Sequence, residues 1–360
     1  MIPVLSRQPL DTHASRPLEP HRPMPGLMRC NRAIRSSVTG ATLLARLRRS
    51  WKATVLAICM ALCGCGIGAP ADCTIRKVAV LHVREIGGLP IVDVVINGKP
   101  VTMIADTGAE RSLLTTAAVA QLGLPPDIGR LSQTIGIGGP STAWDVKLAE
   151  LVIGGVRFAV NRMAVAEFTI PSPDHVSPVG LLGADILLAF DVDIDLSADT
   201  ITLYGARRCP DARPPWTEPA VPIRQARRLN DRILIPMKLD GQQAVGLLDT
   251  GAQRTTIGSA LAARLGLDQA ALAADRTIMQ NGAGPSSVMS HLHRFSSLSI
   301  GPTVTKDAEL PVMLTDFGIG DALVGQDFLR GRRVWISFAT TQVYVTQMPG
   351  DNALDAGSAE

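Results

Sequence analysis

The sequence contains one motif twice, and this duplication limits what the chain can fold into. Residues 105–114 read ADTGAERSLL, and residues 248–257 read LDTGAQRTTI. Leu-Gly-Leu follows both copies, at 122–124 and 265–267, and a later pair, Leu-Leu-Gly and Leu-Val-Gly, ends at Gly183 and Gly325. Features that recur in the same order at near-constant spacing indicate a tandem duplication.

Each copy has the pattern of a small β unit. The segments 89–105 and 232–248 alternate like paired strands, with Asn97-Gly98 and Asp240-Gly241 as predicted hairpin turns. A short helix is predicted after each motif, with Thr115 or Thr116 as N-cap in the first copy and Ser259 in the second. Only 4% of the residues are aromatic, and glycine and proline are plentiful. We therefore predict an all-β fold with short helices.

Composition divides the chain into five segments. We predict a disordered basic N-terminus with a signal or lipoprotein segment over 1–65, a first lobe over 66–208 and a Pro-rich linker over 209–222. A second lobe would occupy 223–347, and a polar tail 348–360. Residues 1–52 hold ten Arg and Lys residues against two acidic ones, so the rest of the chain is mildly acidic. This balance excludes a basic nucleic-acid footprint on the lobes.

The N-terminal segment has the features of an export signal. A cationic region precedes the apolar run 53–65, which is short for a membrane span, and Leu62-Cys63-Gly64-Cys65 resembles a bacterial lipobox. We expect export to the cell envelope or periplasm, with lipidation at Cys65 and membrane attachment. A cleaved signal and an uncleaved anchor are the alternatives. Downstream, Cys73 and Cys209 bracket the first copy and predict either one disulfide or two separate buried thiols.

The duplicated motifs resemble those of aspartic peptidases, in particular the retroviral-type (retropepsin-like) branch. The resemblance rests on IADTGA and LLDTGA with the later LLG and LVG, and it covers roughly residues 77–347. It implies two barrel-like lobes, each contributing one catalytic Asp, fused here in one chain that works as a monomer. Such enzymes use no metal or cofactor, because two adjacent carboxyl groups share a proton and act as both base and acid.

The resemblance assigns roles residue by residue. Asp106 and Asp249 would be the catalytic pair, and a structural role for them in turns is the alternative. The supporting residues would be Thr107, Gly108, Thr250 and Gly251, with the threonines gripping each other across the lobe junction. Retroviral enzymes commonly carry Arg after the later glycine, where this chain has Ala184 and Gln326. Glu110 and Gln253 must therefore find other partners.

A glycine-rich stretch after each motif predicts a cover over the substrate. The first comprises Ile135, Gly136, Ile137, Gly138 and Gly139, which resemble a retroviral flap. The second copy offers QNGAGPSS at 280–287, either as a second flap or as an ordinary turn. His291 and His293 could face one side of a strand, but without a cysteine or acidic partner in step they predict no metal site.

These features together predict an aspartic endopeptidase that hydrolyses extended peptide segments. Its partners would be peptide or protein substrates, with no nucleic acid. Two alternatives stay open: a catalytically silent peptide-binding protein with this fold, and a self-processing envelope protein whose substrate is its own N-terminal region or a partner.

Overall fold

The computed structural model describes residues 73–168, 177–207, 209, 212–316 and 318–346. The predicted signal segment with Cys65 and the predicted tail at 348–360 lie outside these residues. The first half of the described chain contains the following elements: β1 (Thr74–Ile86), β2 (Leu89–Ile96), β3 (Lys99–Ala105), β4 (Leu113–Thr115), α1 (Thr116–Leu122), β5 (Pro126–Gly136), β6 (Gly139–Lys147), β7 (Leu151–Ile153), β8 (Val156–Phe158), β9 (Arg162–Ala166), β10 (Gly180–Leu182), α2 (Ala184–Leu187), β11 (Asp191–Asp195), a 3₁₀ turn (Leu196–Ala198) and β12 (Thr200–Arg207).

The second half repeats this succession of elements. It contains β13 (Ala220–Ile223), β14 (Arg227–Leu229), β15 (Arg232–Leu239), β16 (Gln242–Leu248), β17 (Thr256–Ile257), α3 (Ser259–Arg264), β18 (Arg276–Gln280), β19 (Val288–Ile300), β20 (Thr303–Val312), β21 (Ala322–Val324), α4 (Gln326–Leu329), β22 (Arg333–Ser337) and β23 (Gln342–Thr346). The all-β prediction is confirmed: long and short strands dominate, and the helices are short. No helix in the described part of the chain has the length and hydropathy needed to cross a membrane.

The predicted hairpin turns are present in both halves. Asn97 and Gly98 have φ values of 50° and 76°, and Asp240 and Gly241 have 47° and 79°. Two consecutive positive φ angles match the twist of antiparallel strands, and Asn-Gly and Asp-Gly adopt them at low cost. These turns fix the register of β2 with β3 and of β15 with β16.

The helix after each motif forms, but the predicted N-cap is found only in the first copy. Thr115 caps α1, and its hydroxyl oxygen accepts a hydrogen bond from the Ala118 N–H. In the second copy the Ser259 prediction is wrong, because Ser259 is the first helical residue and Gly258 is the N-cap without a side-chain bond. A glycine N-cap costs only a few tenths of a kcal/mol relative to serine, so the helix tolerates it.

Parallel strand pairs explain why the later Leu-Leu-Gly and Leu-Val-Gly recur. β10 runs parallel to β3, and β21 runs parallel to β16, so each segment lies beside the strand that leads into an Asp. The backbone N–H of Asp106 donates to the Leu182 oxygen at 2.9 Å, and that of Asp249 to the Val324 oxygen at 3.0 Å. In each lobe, the strand that carries the later motif thus holds the Asp at the end of its own strand.

The two halves share one sheet. Its order is β13-β23-β22-β11-β12-β1, in which β11, β12 and β1 come from the first half and the other strands from the second. The central contact pairs β11 with β22, and Trp335 of β22 is fully buried against the ring of Tyr204. Residues 220–222, which the sequence assigned to the linker, lie in β13 and pair with β23. The Pro-rich segment therefore ends inside the shared sheet.

The remaining strands form one lobe on each side of this sheet. In the second lobe β15 also pairs with β19, which closes the strands into a barrel-like ring. In the first lobe the path continues from β1 through β2, β3, β10, β4, β9 and β6 to β5. One apolar core runs through both lobes and the shared sheet.

Cys73 and Cys209 form a disulfide in the structure. It joins the residue before β1 to the segment after β12, two antiparallel neighbours in the shared sheet. The bridge closes a loop with a sequence separation of 136 residues, which contains the whole first lobe. Closing a long loop restricts the unfolded chain more than closing a short one.

We expect that replacing both Cys73 and Cys209 by serine lowers the free energy of unfolding by about 2–5 kcal/mol. Denaturant titration of the oxidised protein and the double variant measures this difference. A digest without reductant should contain the two cysteine-bearing peptides joined. Recovery of both peptides with free thiols would contradict the bridge.

Candidate active site

The structure brings Asp106 and Asp249 together at the junction of the lobes. Their carboxyl groups lie close enough for the charge of Asp106 to raise the pKa of Asp249. The Gly108 and Gly251 backbones lie so close to the opposite Asp that a Cβ on either would come within 2.8 Å of its carboxyl atoms. Any other residue at these two positions would displace the carboxyl groups. The repeated Gly of Asp-Thr-Gly is therefore required by packing across the junction.

Backbone donors hold each carboxylate in place. The N–H groups of Gly108 and Ala109 both donate to Oδ1 of Asp106 at 2.9 Å, and the Gly251 N–H donates to Oδ1 of Asp249 at 2.8 Å. These bonds hold Oδ1 of each carboxyl group and leave Oδ2 without a backbone donor among them. Asp249 is 8% exposed, whereas Asp106 is half-buried.

Burial and proximity make full ionisation of the pair unfavourable. Burial raises the pKa of Asp249 well above its usual range, and the charge of Asp106 raises it further. Burial also raises the pKa of Asp106, but the Ala109 and Gly108 N–H groups and the bond from Asp249 lower it in part. The two carboxyl groups therefore titrate as one coupled pair, and ionising both of them is unfavourable.

The threonines of the two motifs bond reciprocally across the lobe junction. The Thr107 N–H donates to Oγ1 of Thr250 at 3.0 Å, and the Thr250 N–H donates to Oγ1 of Thr107 at 3.1 Å. Each hydroxyl then donates to a strand carbonyl of the other lobe, Leu248 at 2.8 Å and Ala105 at 2.6 Å. Thr107 and Thr250 are 3% and 0% exposed, so these four bonds lie away from water.

A second pair of acidic residues, Asp185 and Asp327, forms hydrogen bonds with the loops that carry the two motifs. Asp185 accepts from the N–H and hydroxyl of Ser112, and Asp327 accepts from those of Thr255, all within 2.9 Å. The sequence analysis left these acids out of the catalytic set, and their contacts are with the loops and not with the cleft. Their repetition reflects loop support.

Gln326 follows Gly325, at the position where retroviral enzymes commonly carry an arginine, and it makes different contacts. Gln326 is 2% exposed, and its Nε2 donates to the Thr250 oxygen at 2.5 Å. Its backbone N–H donates to the Ala252 oxygen, and Ala184 makes the matching bond to Ala109. The glutamine thus anchors the second motif loop without a charge, a role that the sequence analysis did not assign.

Glu110 and Gln253 find partners on opposite lobes. The Arg232 guanidinium donates to Oε2 of Glu110 at 3.1 Å, and Gln253 donates a short bond to the Gly87 oxygen. Burial lowers the pKa of Arg232, and the charge of Glu110 opposes this effect. The sequence analysis missed Arg232. Its counterpart in the first copy is Leu89, so the repeat gave no signal for an arginine here.

Two hairpins lie above the Asp pair. We call the β5–β6 hairpin the first flap and the β18–β19 hairpin, with its tip at 281–287, the second flap. Their tips are bonded to each other: the Gly138 N–H donates to the Ala283 oxygen at 2.9 Å, and the Ser286 N–H donates to the Gly138 oxygen at 3.1 Å. A Cβ at Gly136 or Gly138 would meet backbone of the second flap within 2.9 Å. The glycines therefore allow the tips to interlock.

A cavity of about 480 Å³ lies between the flaps and the Asp pair. Both carboxyl-bearing residues line it, together with Ile135, Gly136 and Ile137 of the first flap. Gly138 and Gly139 lie at the first tip and outside the cavity lining. The size and apolar lining suit a short stretch of extended peptide.

The two histidines do not form a shared site. Nδ1 of His293 lies 2.7 Å from Oδ2 of Asp275, whereas His291 is 5% exposed and its Nδ1 has no partner among the described residues. In the part of the chain that the structure describes, no group of three metal-binding side chains is present.

Two segments of the chain match known families. Residues 92–186 match the aspartyl protease family, and residues 235–331 match the gag-polyprotein aspartyl protease family. No curated protein matches the chain in sequence. The fold and the two matches define a two-lobed protein of the aspartyl protease class. The chain belongs to the retropepsin-like proteins and carries both lobes in one polypeptide.

We expect Thr250→Val to lower the free energy of unfolding by roughly 2–4 kcal/mol. The variant keeps the side-chain volume but leaves the Thr107 N–H and the Ala105 oxygen buried without their partner. Denaturant unfolding measures the loss. Thr305→Val, at an exposed strand position, is the control and should change stability by less than about 0.5 kcal/mol. Equal effects of the two changes would contradict the role of the junction.

We expect Asp249→Asn to stabilise the protein increasingly as the pH rises. Because the pKa of Asp249 is raised in the folded protein, this residue adds to the free energy of unfolding at acid pH. The added stability is lost as the pH rises through the folded pKa. Asparagine cannot ionise, so it avoids this loss. Melting temperatures of both proteins between about pH 4 and pH 8 test the sign. A difference that shrinks with rising pH would contradict the shared-proton pair.

Proposed function

We propose that the protein is an aspartic endopeptidase in which Asp106 and Asp249 are the catalytic pair. The observation that carries this proposal is the close approach of the Asp106 and Asp249 carboxyl groups, each packed against the glycine of the other motif, at the floor of a covered cleft. Catalytic carboxyl pairs of this kind are tuned by burial and by each other's charge. The family matches support the same class of protein.

In the mechanism that we propose, the pair shares one proton, which Asp249 holds before the water attacks. A water between the carboxyl groups gives a proton to the Asp106 carboxylate as its oxygen attacks the scissile carbonyl carbon. The protonated Asp249 donates its proton to the carbonyl oxygen, which yields a neutral tetrahedral intermediate. A proton then returns from Asp106 to the amide nitrogen, the C–N bond breaks, and Asp249 regains a proton from the collapsing hydroxyl. No proton is gained or lost overall.

The substrate would bind as an extended strand under the flaps. The interlocked tips must separate for entry, and the backbone groups freed at Gly138 and Ala283 could then bond to the substrate. Because both lobes belong to one chain and already form the cleft, we propose that the protein acts as a monomer. Peptides and proteins are its proposed partners.

We also propose that the protein is exported and tethered to a membrane by its N-terminal segment. The basic stretch, the apolar run and Cys65 support this, although they lie outside the described residues. The Cys73–Cys209 disulfide adds support, because such bridges persist mainly in oxidising compartments.

We expect Asp106→Asn and Asp249→Asn each to lower kcat/KM by at least about 10³-fold, because each change removes half of the acid–base pair. A peptide library with mass-spectrometric readout identifies the cleavage sites, and a statine-type transition-state mimic should block cleavage by the parent protein. Asp93→Asn is the control, since the Asp93 side chain is 74% exposed on β2.

The same experiment separates the alternatives. Retained cleavage in both Asp variants would refute the proposed pair. Peptide binding without cleavage by the parent protein would identify a silent binding protein. Cleavage confined to the N-terminal region of the chain, found by mapping its N-terminus after incubation, would identify self-processing.

A further inference from the structure

The two halves of the cleft are related by strand register, so their lining residues can be compared one for one. Leu181 pairs with both Ile104 and Leu113 in the first lobe. Leu323 pairs with both Leu247 and Thr256 in the second lobe. Ile104 therefore corresponds to Leu247, Leu181 to Leu323, and Leu113 to Thr256.

A further correspondence comes from the turns at the ends of the cleft. Ile86 pairs with Leu89 across Gly87-Gly88, and Leu229 pairs with Arg232 across Asn230-Asp231. Leu89 and Arg232 thus hold the same place in the two lobes, and both line the cavity. The aliphatic floor is the same in both halves, but Leu89 and Leu113 of the first lobe become Arg232 and Thr256 in the second.

The first-lobe wall is apolar apart from Glu110 and Arg111. Glu110 is paired with Arg232, and Arg111 donates to the Ser132 hydroxyl and the Asp145 carboxylate. Leu113 and Leu181 belong to a buried cluster, and Leu89 and Phe168 pack against it. Polar side chains also reach this half from the first flap, but they are bonded within that hairpin. Gln133 Nε2 donates to the Thr142 hydroxyl at 3.2 Å, and the Thr134 hydroxyl donates to the Ser141 oxygen at 3.2 Å.

The second-lobe wall contains hydrogen-bond donors without an acceptor. Gln280, the last residue of β18, lines the cavity, and its Oε1 lies 3.4 Å from the Thr256 hydroxyl. Its Nε2 is buried and has no partner among the described residues, and the same holds for Nε of Arg232. A buried donor without an acceptor costs about 1–3 kcal/mol. The Gln280 side chain is half-buried, and it must turn toward the cavity for its Nε2 to meet an acceptor on a ligand.

We propose, on the basis of the peptidase function proposed above, that the cleft binds substrate in one direction, with an apolar side chain against the first lobe and a carboxamide side chain against the second. The carboxamide oxygen of Asn or Gln would accept from Gln280 Nε2. The two residues lie on opposite sides of the scissile bond, because each lobe covers one side of the Asp pair.

Charge favours a carboxamide over a carboxylate. The Asp pair carries one negative charge, and Glu110 already neutralises Arg232. Arg254 also lines the cavity, but it is exposed, so water and salt screen its charge. Gln280 is a neutral donor and cannot offset a further buried charge. An acidic side chain would therefore be desolvated beside existing negative charge, whereas Asn or Gln supplies the acceptor without one.

Matched peptides test the direction. Two quenched fluorescent peptides of identical composition carry Leu and Gln on either side of the cleaved bond, in opposite orders, and two more replace Gln by Glu or Leu. With the full-length protein we expect kcat/KM to differ by about tenfold or more between the two orders, and the better order to exceed its Glu and Leu counterparts similarly.

Variants at the second-lobe wall test the cause. Gln280→Leu should reduce the order preference by about tenfold and improve cleavage of the peptide with Leu at both positions. A purely structural effect would lower cleavage of all four peptides alike. Gln243→Leu, at an exposed position of β16, is the matched control and should keep the parent's ratio. Binding of a statine-type mimic verifies that each variant is folded.

The outcomes separate this inference from the function on which it rests. No cleavage of any peptide by the parent protein would refute the peptidase proposal. Cleavage with equal rates for both orders, or a preference for Glu or Leu over Gln, would refute the directional inference and leave the peptidase proposal standing. An order preference that survives Gln280→Leu would also refute the directional inference.

Discussion

The reciprocal threonine bonds at the lobe junction are the interaction on which the site depends. They tie the ends of β3 and β16 together, two residues after the last residue of each strand and next to the Asp pair. Two carboxyl groups in this setting repel when both are ionised, so the junction must supply the binding energy that holds them together. Four buried hydrogen bonds and two glycines without side chains provide this close approach.

Much of this arrangement could be predicted from the sequence because it is duplicated. One Asp-Thr-Gly fits many turns, but two copies with matching later segments indicate two equivalent lobes that each bring one Asp to a common junction. The parallel pairing of the later segments with β3 and β16 was not predicted. The hairpin turns were equally readable, since Asn-Gly and Asp-Gly have few other conformational uses. Cap choice was less readable, because Ser259 and Gly258 both suit an N-cap and tertiary packing selects between them.

The residues that sequence reasoning missed are those that differ between the copies. Arg232 and Gln326 have no counterpart of the same type in the first half, so the repeat gave them no support. Their roles depend on contacts with the opposite lobe or with the motif loop, which only the folded chain reveals. The flap tips are similar: glycines indicated flexibility, but not that the tips bond to each other.

Fusing two lobes in one chain removes a constraint that a symmetric dimer would impose. In a homodimer each side chain in one half of the cleft appears again in the other half, so both halves offer the same chemistry. Here backbone groups at equivalent positions hold Asp106 and Asp249. Leu113 of the first lobe and Thr256 of the second also hold equivalent positions, but their side chains differ in chemistry. The residues that hold the carboxyl pair have stayed alike, because the junction needs both copies. The walls have no such requirement, and they are where the two halves differ.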